Sequence, residues 1–210
     1  MAPVTLMTYV PLGDPALDDG MLLETKMLID RVSEWRRLGE RGSRVVWMCY
    51  PDQDLTLLGE AVDRRAIDGL LMVDRHRRND VDRIEAAFAA TTLGVCAFLG
   101  WNPNPSEVEA ARRARGYVMV QSRPGVTGAA GGTEGASLNQ AAATIGCPVV
   151  SGFGIRDERD IELAAQLGYD GVVVGSACVE ALQIGPERFG AYGSDLRRWN
   201  RGSFEKALTL

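Results

Sequence analysis

Apolar runs rich in Val, Ile, Leu and aromatic residues recur along the chain, and a longer, more charged segment follows almost every one. The runs span 4–10, 44–50, 69–74, 94–99, 117–122, 148–151 and 171–174. They are nearly continuous in apolar character rather than alternating, the pattern of strands covered on both faces of a parallel sheet. The intervening segments predict helices over 16–38, 55–65, 81–92, 106–115, 137–145 and 158–167. In the first of these, Leu22, Leu23, Met27, Leu28 and Val32 fall close to a 3.6-residue period. Ser106 and Glu109 stand in the register of a capping box. A last helix is expected over about 187–210.

Strands alternating with helices imply parallel pairing through right-handed crossovers. Such a chain either closes into a TIM-type (β/α) barrel or stays open as a doubly wound sheet. Glycine-rich turns after the last three strands favour closure, because barrels of this class place a phosphate site there. The first strand is also not followed by a GxGxxG fingerprint. The expected fold is thus a single shortened barrel domain over 1–210, with seven main strands rather than eight. Residues 125–137 (GVTGAAGGTEGAS) carry no large side chain after Val126, so they are expected to form a mobile loop acting as a lid.

Composition narrows the function. The net charge of −5 argues against a nucleic-acid binder. Arg75, His76, Arg77 and Arg78 then read as a solvated turn. With one histidine in the chain, serine–histidine triads and multi-histidine zinc sites fall away. The four cysteines (Cys49, Cys96, Cys147 and Cys178) form no CxxC pair and each borders an apolar segment, so buried free thiols are expected. No apolar run approaches the ~18 residues of a membrane span, and no basic-then-apolar leader is visible, so a cytoplasmic protein without membrane contact is expected.

The candidate chemistry lies where strands end. Gly152-Phe153-Gly154-Ile155 follows one strand, and Gly175-Ser176-Ala177 closes the next and opens a helix. Glycine lets backbone N–H groups approach an anion without an intervening Cβ, and a helix N-terminus adds free N–H groups and a favourable dipole. Gly125-Val126-Thr127-Gly128 stands one strand earlier, which makes three such turns in succession.

Here the sequence resembles a known family. SRPGVTG (122–128), SGFGI (151–155) and GYDGVVVGSACV (168–179) are similar to the C-terminal signatures of the tryptophan synthase α subunit. YVPLGDP (9–15) resembles its first strand and turn, DGLLMVD (68–74) a middle strand, and WMCYPD (47–52) its third strand. The likeness covers most of the chain and is strongest from residue 115 onward. It implies an eight-stranded barrel that splits indole-3-glycerol phosphate into indole and glyceraldehyde 3-phosphate. It also implies a phosphate held by Thr127, Gly128, Phe153, Gly154, Gly175 and Ser176.

One part of the pattern is missing. The family's second strand and loop carry its catalytic glutamate and an aspartate that binds the indole nitrogen. Here DRVSEWRRLGERG (30–42) runs directly into the segment at 44–50. A whole strand–helix unit is absent, which also accounts for the count of seven. The family's pocket tyrosine on its sixth strand is replaced by Met119. Carbon–carbon cleavage needs a positioned acid and base, each worth roughly 10²–10⁴ in rate. The family reaction is therefore not expected here, although the phosphate grip is.

Other carboxylates are candidates for the lost role. Asp18, Asp19 and Glu24 follow the first strand and resemble the acidic magnesium motif of enzymes that ionise prenyl diphosphates. Dipole-favoured acids at a helix start are the plainer account of them. Asp74 and Tyr50, each closing a strand, are further catalytic candidates. Tyr9, Met48, Phe98, Trp101, Tyr117 and Met119 are expected at a pocket with an apolar wall, although such side chains also serve ordinary cores. Three functions remain open: a lyase-like enzyme for a small apolar phosphate or diphosphate, magnesium-assisted prenyl diphosphate ionisation or cyclisation, and non-catalytic binding or a partner subunit. A homodimer could cover the edge left by a lost strand, and pairing with a β-type tryptophan synthase subunit is doubtful.

Overall fold

The computed structural model describes residues 5–9, 19–37, 44–49, 55–72, 86, 94–100, 102–121, 144–152 and 154–207. The chain divides into two compact units, Met1–Phe98 and Leu99–Leu210. Among the described residues, no helix is long and apolar enough to cross a membrane.

The first unit begins with β1 (Thr5–Tyr9), α1 (Asp19–Arg37) and β2 (Arg44–Cys49). It continues with α2 (Leu55–Asp63), β3 (Gly69–Met72) and β4 (Gly94–Leu99). Every pairing is parallel: Thr5 stands opposite Arg44, Val46 opposite Gly69, and Gly69 opposite Gly94. β1 therefore pairs directly with β2 along its whole length. Losing a strand–helix unit leaves either a smaller ring or a gap between these two strands, and the ladder between them is continuous.

Both faces of these strands are buried, which is why they read as unbroken apolar runs. Val45, Trp47, Leu70 and Val95 pack with Ile29 of α1 and Leu58 and Ala61 of α2. The intervening residues Val46, Leu71 and Cys96 are buried on the opposite face. The α1 stripe that reaches this core runs Leu28, Ile29, Val32 and Trp35, at i, i+1, i+4 and i+7 along one helix face. Buried Ser33 is accommodated by donating its hydroxyl to the Ile29 carbonyl at 2.7 Å.

One contact at the start of β3 ties this unit together. Asp68 accepts from the Val45 N–H at 2.7 Å and forms an ion pair with Arg36 of α1, while its own N–H bonds the Val45 carbonyl at 2.7 Å. The following residue must be glycine, because a Cβ on Gly69 would lie 2.7 Å from the Gly94 carbonyl oxygen.

The second unit runs α3 (Pro105–Arg112), β5 (Val118–Gln121), β6 (Val149–Gly152), α4 (Glu158–Gln166), β7 (Gly171–Val172), α5 (Ser176–Ile184) and α6 (Pro186–Ala207). β5 pairs with β6 and β6 with β7, again in parallel. The start of β7 repeats the arrangement at β3: Asp170 accepts from the Val149 N–H at 2.8 Å, and its N–H bonds the Val149 carbonyl at 2.8 Å.

The capping box of α3 falls two residues earlier than the sequence register indicated. Asn104 is the cap, accepting from the Ser106 and Glu107 N–H groups, and the Glu107 carboxylate accepts from the Asn104 N–H at 2.7 Å. Pro105 decides this, since its fixed φ and missing N–H suit the first helical position. The predicted segments at 81–92 and 137–145 and the glycine-rich loop at 125–137 lie outside the described residues, apart from helical Ala86 and from Thr144 and Ile145.

Candidate anion site at the strand ends

The turn after β6 and the helix after β7 supply the parts of the expected grip that are described. Gly154 is buried and has φ +77°, the left-handed region where a side chain is strained. The chain then passes through buried Ile155 to Arg156 and enters α4 at its cap Asp157.

Gly175 caps α5 without any side-chain hydrogen bond, and its carbonyl accepts from the Cys178 and Val179 N–H groups. The N–H groups of Ser176 and Ala177 have no acceptor among the described residues. Ser176 is exposed and therefore accessible to a solute. Two free donors at a helix start, on the strand next to a positive-φ glycine turn, form a cradle suited to an anion.

Arg156 is fixed by all three helices of this region. Its N–H donates to an Asp160 carboxylate oxygen on α4 at 2.9 Å, and its carbonyl accepts from the Tyr192 hydroxyl on α6 at 2.6 Å. Its guanidinium pairs with Glu180 on α5. Tyr192 is buried with Ala177 and Ala181, and its ring meets Trp199 edge-on at a centroid distance of 6.2 Å. Burial pushes the Tyr192 phenol up to about 12, so it stays a donor at any working pH. Tyr192, Glu180 and Arg156 carry no sequence motif, and only the packing of α6 on α4 and α5 brings them together.

The remaining predicted residues are placed as follows. Thr127, Gly128, Phe153, Tyr50, Asp74, Asp18 and Trp101 lie outside the described residues. Asp19 opens α1 and Glu24 stands five positions later, about 140° around the helix axis at ~100° per residue. Those two positions do not share a helix face, and among the described residues no group of three His, Cys, Asp or Glu could hold a metal ion.

Tyr9 is opposite Met48 at the ends of β1 and β2, and Met48 and Phe98 are half-buried in the first unit. In the second unit Tyr117 is half-buried, whereas Met119 is fully buried and lies across Gly152, where a Cβ would meet its Sδ at 2.8 Å. Of the cysteines, Cys96 is buried, while Cys147 and Cys178 are free thiols only partly buried; burial raises the pKa of both.

The family model of the tryptophan synthase alpha chain matches residues 52–197. The tryptophan synthase alpha chain of Xanthomonas campestris pv. campestris strain B100 is 33% identical over 193 residues, covering 82% of this chain and 70% of that relative. The protein of the same name from Azoarcus sp. strain BH72 is 32% identical over 189 residues, covering 83% and 65%. Among solved structures, tryptophan synthase of Mycobacterium tuberculosis superposes with a TM-score of 0.75 at 24% identity, covering 94% of this chain and 81% of that one. Tryptophan synthase subunit alpha from Legionella pneumophila gives a TM-score of 0.66 at 18% identity. The fold is thereby that of the TIM-type (β/α) barrel.

Proposed function

The chain belongs to the tryptophan synthase alpha chain family, and we propose that it is a diverged, lyase-like member that binds a small apolar molecule through a phosphate but does not release indole from indole-3-glycerol phosphate. The observation that carries the binding half is the free N-terminal turn of α5 beside the Gly154 turn. A phosphate dianion accepts several N–H donors at once, and a helix start with no side-chain cap offers them without first displacing a competitor.

The loss of the family reaction rests on a second feature. Between β1 and β2, which pair along a continuous ladder, α1 is the only element among the described residues, and none of those residues forms a strand that could bear the family's catalytic glutamate and indole-binding aspartate. Acid–base work at C3 of the indole and at the side-chain hydroxyl then lacks its two carboxylates. A phosphate grip alone binds substrate and transition state equally, and so does not lower the barrier to cleavage.

Calorimetric titration of the purified protein with indole-3-glycerol phosphate, together with an indole-release assay, tests both halves. Saturable binding is expected, abolished in Ser176→Asp, where a carboxylate would stand against the anion. Indole release is expected at the uncatalysed level, with or without magnesium. Unchanged affinity in Ser176→Asp would remove the proposed grip. Turnover comparable to an ordinary alpha chain would show that other carboxylates have taken over. Consumption of a prenyl diphosphate only when magnesium is present would replace this reading with metal-assisted ionisation through Asp18, Asp19 and Glu24.

A further inference from the structure

We propose that Arg156, held by Tyr192 and Glu180, is a positioning residue that fixes the spacing between the two halves of the anion cradle. The inference rests on the anion-binding reading above and adds to it the role of the C-terminal helix. Arg156 lies two residues beyond Gly154, at the point where the chain leaves the positive-φ turn. Its guanidinium reaches Glu180, four residues along the helix whose first turn, at Ser176, forms the other half of the cradle. The ion pair thus ties the residue that follows the Gly154–Ile155 turn to the helix that begins at Ser176. The Tyr192 hydroxyl, donated to the Arg156 carbonyl at 2.6 Å, anchors the same residue to α6.

The chemistry of each contact suits positioning rather than bulk stability. The Arg156 and Glu180 side chains are 45% and 53% exposed, and an ion pair so exposed contributes little to folding. A buried tyrosine whose only described hydrogen bond runs to a turn carbonyl restricts that turn instead. A released turn has to be ordered again by the ligand, and that cost appears as weaker binding.

Three variants separate the possibilities, read by titration with glycerol 3-phosphate and by the melting temperature. Tyr192→Phe keeps the ring in its cluster and removes only the donor; about fivefold weaker binding is expected. Glu180→Gln should weaken binding about threefold with the melting temperature unchanged. If Arg156 instead touched the phosphate itself, freeing it from Glu180 would tighten binding, so tighter or unchanged affinity in Glu180→Gln overturns the proposal. Trp199→Leu removes the ring packed edge-on against Tyr192 but leaves the Tyr192 hydroxyl and the Arg156–Glu180 pair in place, and should lower the melting temperature while leaving affinity in place. A loss of affinity in Trp199→Leu equal to that in Tyr192→Phe would mean that any loosening of α6 suffices, which also overturns it. Wild-type protein that binds no glycerol 3-phosphate at all would defeat the anion-binding reading first. Wild-type binding with an unaffected Tyr192→Phe variant would defeat the clamp alone.

Discussion

Asp68 and Asp170 occupy equivalent places in the two units, each ahead of a strand and each accepting an N–H at the start of the neighbouring strand, yet among the described residues only Asp68 is also paired with an arginine. Replacing each with alanine isolates what the pairing contributes. In Asp170→Ala the Val149 N–H loses its acceptor, at a cost of about 1 kcal/mol for a group near solvent. In Asp68→Ala the Val45 N–H loses its acceptor too, and Arg36, whose side chain is only 20% exposed, loses its counter-charge. That second loss adds about 2 kcal/mol, less than a fully buried pair because water still reaches the edge. The expected totals are thus about 3 and about 1 kcal/mol, or falls in melting temperature of roughly 6–12 °C and 2–4 °C for a chain of this size. Thermal unfolding followed by circular dichroism at pH 7 measures both.

The pH dependence gives an independent check on the same carboxyl. Burial alone would raise the Asp68 pKa, but hydrogen bonds from Arg36 and Val45 and the charges of Arg36 and Arg44 outweigh it and hold it below 3.8. A lowered folded-state pKa means that this stabilisation is complete above 3.8 and is lost as pH falls through the folded-state value. Asp68→Asn should therefore flatten the acid limb of the stability curve while leaving its neutral limb parallel to wild type. Equal losses in the two alanine variants, or an acid limb unchanged in Asp68→Asn, would refute the weight placed on the Arg36 pair.

Backbone geometry supplies two more expectations. Arg65, the second residue past α2, has φ +54°, and the Ala66 N–H closes the helix onto the Ala61 carbonyl at 2.8 Å; Arg65→Gly relieves that left-handed residue and should raise stability by about 1 kcal/mol, seen as a higher denaturation midpoint with an unchanged slope. Gly69→Ala and Gly152→Ala should differ in kind, because the first Cβ meets the Gly94 carbonyl at 2.7 Å and the second meets the flexible Met119 side chain at 2.8 Å; Met119→Ala should rescue Gly152→Ala in a double-mutant cycle, whereas retention of full stability by Gly69→Ala would contradict the close approach of β3 to β4.

The strands were legible because burial on both faces leaves little for polar residues to occupy. Each observed strand falls within a predicted run or one residue beyond it. The helix over 106–115 shows the limit of such reading. Ser106 and Glu109 matched the capping pattern, but Pro105 starts the helix earlier and gives the cap to Asn104. The repeated Asp-Gly ahead of β3 and β7 was visible as AIDG and GYDG, a signal read only as part of a strand. Tyr192 and Glu180 were not legible at all. Their contacts with Arg156 join positions 36 and 24 residues apart, and no local pattern encodes which helix faces meet.

These placements separate stability from chemistry along each strand. Asp68, Gly69 and Asp170 sit at the strand starts, where N–H groups are tied to a carboxylate and neighbouring backbones come closest. Gly154, Gly175 and Ser176 sit past the strand ends, where the Ser176 and Ala177 N–H groups have no acceptor among the described residues. In a barrel the end of each strand carries chemistry and the start carries cohesion. On the proposed reading a strand–helix unit has been lost with its catalytic loop, and the pairing of β1 with β2 is what lets the sheet close over that loss. The donors near β6 and β7 belong to the other unit, where Arg156 meets α4, α5 and α6. On the proposed reading, that is why a phosphate grip can outlive the reaction it once served.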